Sequence, residues 1–209
     1  MFRRIGLGTV LLMTTLTAFA AGPFGGNPPK RSPVSGQDGQ LSAADIKKLA
    51  SVRRATAKYF DVQAATDAGY VAGGPCVPQM GTHYVNMAKI ANPSIVPEDP
   101  EILLYDGDGH LVGVEYLVLY DGPVPVDTWD GHGSCTTPSS LVGPPPGLPG
   151  LTTAPLLFGS NFDGPMLDHG ELAPLGVCHF DFHVWVWRAN PLGVTAHQNP
   201  LVSCAAELD

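Results

Sequence analysis

The sequence predicts a mainly β protein: a compact antiparallel domain of sandwich or barrel-like form, loop-rich and disulfide-bonded, preceded by a pair of helices. Three observations predict it. Residues 102–105 (ILLY) and 110–120 (HLVGVEYLVLY) flank Asp106-Gly107-Asp108-Gly109, the pattern of two strands joined by a tight turn. Residues 179–188 alternate, with Phe180, Phe182, Val184 and Val186 on one face and His179, Asp181, His183, Trp185 and Trp187 on the other. Gly and Pro together make 46 of 209 residues, enough to punctuate many short strands yet below the level of a disordered low-complexity chain.

Taken in order, residues 1–20 have the pattern of a secretory signal peptide. Arg3 and Arg4 precede an apolar run that ends in Ala18-Phe19-Ala20. Residues 21–40 are rich in Gly, Pro and Ser and read as a disordered leader. A helical segment is expected over 41–69. Ser42 is a good N-cap with Asp45 three residues later, Ile46, Leu49, Val52 and Tyr59 recur at helical spacing, and Asp61 caps a second short helix through about Ala68. Residues 70–209 form the β-rich, metal-binding domain, with shorter strands at 83–87 and 155–158. Asn92-Pro93, Asn190-Pro191 and Asn199-Pro200 read as turn formers.

Export implies an oxidising compartment, where Cys76, Cys135, Cys178 and Cys204 form two disulfides. Three pairings are open. Cys76–Cys204 with Cys135–Cys178 is the expected one, because it ties the end of the chain to its middle. Their wide spacing, without Cys-x-x-Cys, argues against a zinc-thiolate site. Without Arg3 and Arg4 the chain carries 9 basic and 19 acidic residues, a net charge of −10. Such a surface repels nucleic acid and anionic membrane. No long apolar run follows the leader, so no transmembrane span is expected after its removal. Localisation in the periplasm, the cell envelope or the medium follows.

The polar face of residues 179–187 ends in two tryptophans and so reads as enclosed, and enclosed His and Asp need partners. His179 and His183 lie about 13 Å apart on an extended strand, so the strand needs ligands from elsewhere. One of the two histidines is the expected ligand, with Asp181 orienting an imidazole. Glu115, a carboxylate within an apolar strand and on the face of Leu111, Leu117 and Leu119, is the strongest outside candidate. His83 in QMGTHYVN is the next. The set His83, Glu115, His179 and His183 suits copper, zinc, iron or nickel rather than calcium, with His83 and His183 as the candidates for catalysis. His132, His169 and His197 sit in loop-like segments as possible extra ligands, and His110 ends the hairpin turn.

MGTHYVN (80–86), LVGVEY (111–116), HFDFHVWVWRANPLG (179–193) and NPLVSC (199–204) resemble a family of secreted bacterial hypothetical proteins. The likeness covers roughly residues 70–204. A looser likeness is to envelope copper-only superoxide dismutases, which are exported, disulfide-bonded β proteins. The chain departs from them in lacking a close His-x-His pair. That likeness implies a copper-dependent redox enzyme acting on a small molecule such as superoxide, with a compensating positive patch near Arg188. The alternatives are a zinc or iron enzyme, hydrolytic or cupin-like, and a non-catalytic structural or binding module of a cell-envelope complex.

Overall fold

The first helix, α1 (Ala43–Thr56), starts as its sequence dictates. The Ser42 side chain accepts from the Asp45 N–H, and the Asp45 carboxylate reaches back to Ser42. This closes a capping box that satisfies two orphan N–H groups. Arg53 and Arg54 stand in its last turn, where the helix dipole favours cations. A 3-10 turn (Ala57–Phe60) leads to Asp61, whose carboxylate accepts from Gln63 N and opens α2 (Val62–Asp67). The computed structural model describes residues 41–122, 149–166 and 178–205. These fall in the unit Pro33–Asp209; the other unit, Met1–Ser32, and with it the expected signal peptide, lies outside the described residues.

The strands are β1 (Val71–Ala72), β2 (Thr82–Val85), β3 (Ile102–Tyr105), β4 (Leu111–Leu119), β5 (Leu156–Leu157), β6 (Ser160–Asn161), β7 (Asp163–Met166) and β8 (His179–Val184), with a short helix α3 (Met87–Ile90) after β2. Six of them make one antiparallel sheet in the order β1-β2-β3-β4-β8-β7, and β5 pairs with β6. The mainly β, antiparallel expectation therefore matches. The expected sandwich or barrel does not appear among the described residues, where the sheet is open at β1 and β7. The β3–β4 hairpin turns at Asp106–Gly109 as read. Each of the three Asn-Pro steps is an Asx turn, in which the Asn Oδ1 accepts the N–H two residues on: Ser94, Leu192 and Leu201.

The two sheet faces bury different things. On one, Leu103, Tyr105, Val114, Tyr116, Val118, Phe180, Phe182 and Val184 join Val52, Tyr59 and Ala65 of the helical segment in one core. Three tyrosine hydroxyls reach main-chain carbonyls there: Tyr70 to Pro100, Tyr105 to Tyr59 and Tyr116 to Pro97. Burial raises all three phenols above their ordinary value. On the other face lie Val85, Ile90, Ile102, Leu104, Val112, Leu117, Leu119, Trp185 and Val202.

Two details of the alternation differ from the period-two reading. In β4 the register slips so that Leu104 faces Gly113 and Tyr105 faces Leu111. The extra residue, Val112, turns Leu111 to the helix side, away from Glu115, Leu117 and Leu119. Strand β8 ends at Val184, and Val186 N–H donates to the Val184 carbonyl. That tight turn carries Trp187 to the helix side as well, where Phe60 (4.3 Å between ring centroids) and Arg53 (4.8 Å) pack on it and its indole N–H donates to Thr56. Trp187 fastens the helices to the sheet and does not share the face of His183.

The Cys76–Cys204 disulfide forms as expected. Cys178 is also disulfide-bonded, while Cys135 lies outside the described residues. No helix among the described residues is long and apolar enough to cross a membrane.

Glu101, just before β3, is 2 % exposed and accepts the Leu117 N–H. Burial lifts its carboxyl from 4.5 to about 8, against the opposing pull of two backbone N–H groups and Lys89. Between these values the folded protein holds a proton that the unfolded chain has released. Stability from this group is therefore full below about pH 4.5 and is lost as pH rises towards 8, by up to about 1.4 kcal/mol per pH unit. Urea midpoints should fall across that window in the wild type, and Glu101→Gln should remove this part of the slope. Parallel wild-type and variant profiles would disprove the assignment.

Candidate metal centre

Glu115 stands in the middle of β4, with β3 on one side and β8 on the other; its ladder partners are Ile102 and His183. An interior strand with both faces covered offers no water to a carboxylate, and Glu115 is fully buried. Glu115 therefore does not face water from a sheet edge. His183 lies directly opposite, so its ring meets the carboxylate with Nε2 3.6 Å from Oε2. His83 comes from two strands away. In β2 it pairs with Leu104, which pairs in turn with Gly113, so His83 stands diagonally across β3 from Glu115. Its Nε2 approaches the same Oε2 at 3.3 Å.

These separations fit an ion. Bonds of about 2.0–2.1 Å in tetrahedral geometry place neighbouring ligand atoms roughly 3.3–3.4 Å apart. The observed 3.3 and 3.6 Å match this and exceed the roughly 2.7–2.9 Å of a charge-assisted hydrogen bond. His83, Glu115 and His183 each offer a donor atom with all three within 4.8 Å of one another. The two imidazole planes stand at 87° with centroids 5.9 Å apart, so the donors converge from different directions. The donor set is two imidazoles and one carboxylate.

An apolar frame holds it. The Trp185 ring stacks on His183 at 5.9 Å and 19°, and its indole N–H donates to the Ala196 carbonyl at 2.6 Å. Gly113 leaves room for that indole: a Cβ there would lie 3.1 Å from Trp185 Cε3 and 3.0 Å from the Val184 oxygen. Gly81, two residues before His83, has φ +96°, and a Cβ would sit 2.5 Å from the Tyr105 carbonyl oxygen. Gly81→Ala should therefore push β2 away from β3, costing about 1–3 kcal/mol and weakening metal binding through His83. Calorimetric titration beside thermal melting checks this; unchanged affinity would dissociate Gly81 from the centre.

The other candidates fall as follows. Asp181 and His197 form a second group with His183, their donor atoms again within 4.8 Å. His183 Nδ1 is 4.0 Å from Asp181 Oδ2. His197 arrives on the loop after β8, which is held where Trp185 N–H donates to Val194 and the Asn199 side chain donates to Ala189. The Asp163 carboxylate lies 3.6 Å from His197 Nδ1. Its Asp-Gly context reads as a turn, so only the β7–β8 pairing reveals it. His179, at the far end of β8 opposite Leu119, is buried but joins neither group among the described residues. His132 and His169 lie outside the described residues.

Around the hairpin turn, Asp106, Asp108 and His110 also lie close together. The Asp106 carboxylate is already engaged, accepting from Asp108 N, His110 N and Arg188. The 2.8 Å Arg188–Asp106 ion pair also neutralises the cation expected to form a positive patch. No family model, curated protein or solved structure matches the chain, so its chemistry is read from this geometry alone.

Proposed function

We propose that the chain is an exported metalloprotein whose His83–Glu115–His183 centre binds one transition ion for metal-dependent chemistry on a small molecule. The supporting observation is the convergence of two imidazoles and one carboxylate, all buried, at ligand-like separations. Two histidines and a carboxylate suit zinc in a hydrolytic site or iron(II) in an oxygenase-like one, both of which leave coordination positions open to substrate. When bound, the ion would supply Lewis acidity or a redox couple. The chain's own part is to hold the three donors, keep the indole of Trp185 against His183 and exclude bulk water with the apolar residues of that face. Export is supported by the basic-then-apolar start of the sequence and by the disulfide.

A copper centre of superoxide dismutase type is the second reading, favoured by the third imidazole, His197, whose ring centroid lies 5.0 Å from that of His183. The acidic balance of the chain and the engaged Arg188 weigh against steering an anionic substrate.

Elemental analysis of protein purified without added metal, together with its electron paramagnetic resonance spectrum, separates these readings. Zinc or iron at one equivalent or above supports the first, and copper with a nitrogen-rich spectrum supports the second. His183→Gln should abolish uptake in either case. If no metal copurifies and chelation changes neither melting temperature nor spectrum, the centre is a structural polar cluster and the proposal falls.

A further inference from the structure

His183 turns its two ring nitrogens towards two different carboxylates. Nε2 faces Glu115 at 3.6 Å and Nδ1 faces Asp181 at 4.0 Å. Each nitrogen thus looks into its own donor group, and the two groups share no residue except His183. Beyond Asp181 comes His197, and beyond His197 comes Asp163.

Charge makes this second group hard to explain by packing alone. Asp163 and Asp181 are direct ladder partners across β7 and β8, and like charges placed opposite each other repel. Asp181 is fully buried and the Asp163 side chain is only 16 % exposed, so water screens the pair poorly. No strand of either sheet contains Lys or Arg, and the sequence has none between Lys89 and Arg188. The imidazoles of His183 and His197 face these two carboxylates at 4.0 and 3.6 Å, and imidazole and carboxylate together are a transition-metal donor set.

We propose that Asp181, His183 and His197 form a second subsite for a divalent transition ion, with His183 shared, so that one imidazole bridges two ions. This rests on the reading of His83, Glu115 and His183 as the first site. Both ring nitrogens of His183 then serve as ligands, and the N–H proton that the neutral ring carries passes to bulk water when the second ion binds. Asp163 orients His197 from outside the coordination sphere, as carboxylates commonly do for ligating histidines. His197 is 15 % exposed, more than any donor of the first group, so this subsite lies nearer solvent.

The test is titration of the chelator-stripped, oxidised full chain with Zn(II), followed by calorimetry, and with Cu(II), followed by electron paramagnetic resonance. The expected result is two equivalents bound by the wild type and one by His197→Gln. With copper, the double-integrated signal should drop as the second equivalent couples to the first, and the variant should keep the full signal of one ion. Asp163→Asn should bind the first ion unchanged and the second about tenfold more weakly, which keeps the test open if His197→Gln folds poorly. Saturation of the wild type at one equivalent, with the same affinity in His197→Gln, overturns the second subsite and leaves the first standing. Binding of no ion by the wild type overturns both.

Discussion

Glu115→Gln should abolish uptake of the ion held by His83, Glu115 and His183 while leaving the fold in place. Glutamine keeps the shape that packs between Ile102 and His183, so β4 keeps both of its neighbours. What it removes is the anionic oxygen that both imidazoles face at 3.3 and 3.6 Å. Changing a group that merely orients a ligand costs about 10–100-fold in affinity, so loss of a direct ligand should cost more than about 100-fold. The consequence is legible without any enzymatic assay. At a free-ion concentration about 100 times the dissociation constant, binding stabilises the wild type by about 2.7 kcal/mol. For a chain of this size that raises the melting temperature by roughly 5–10 °C. The variant should lose this contribution, so its rise should be smaller than the wild type's, and a rise equal to the wild type's would rule Glu115 out as a ligand.

Removing the Cys76–Cys204 bridge, as Cys76→Ser with Cys204→Ser, has the second large effect. The bridge closes a separation of 128 residues, and releasing a loop of that length costs about 3–5 kcal/mol through the unfolded chain. A fall in melting temperature of roughly 10 °C follows. The damage is also local. The segment it anchors is threaded through the fold by Gln79 N–H to Val202, Gly107 N–H to Ser203 and Asn199 N–H to Gln79. It also places Val202 among the apolar residues of the metal face. His197 lies on the same stretch, so its ion should weaken before that of His83 and Glu115. Non-reducing melts, with mass spectrometry to count the remaining bridge, check this; an unchanged melting temperature would show that the hydrogen bonds hold the segment alone.

Local chemistry was legible in advance. Ser42 with Asp45, Asp61, the Asp106–Gly109 turn and the three Asn-Pro steps all act within a few residues, so their patterns specify their own structure. The alternation of HFDFHV was legible for the same reason, as was the anomaly of a carboxylate in LVGVEYLVL. Even here two positions escaped. The register slip at Val112 and the tight turn after Val184 each reverse a face, and neither leaves a mark that alternation can detect.

Strand order and register decided the rest. His83 meets Glu115 only because β2 lies two strands from β4 in the sheet with Leu104 opposite Gly113. Direct opposition of Glu115 and His183 selects His183, while His179 stands about 13 Å away along the same strand. Asp163 emerges from the β7–β8 pairing and His197 from a loop folded back over β8. The sequence by itself determined which side chains are fit to hold an ion, because donor chemistry belongs to the residue. Only the tertiary structure decided which of them share one, because convergence depends on pairings between segments as much as a hundred residues apart.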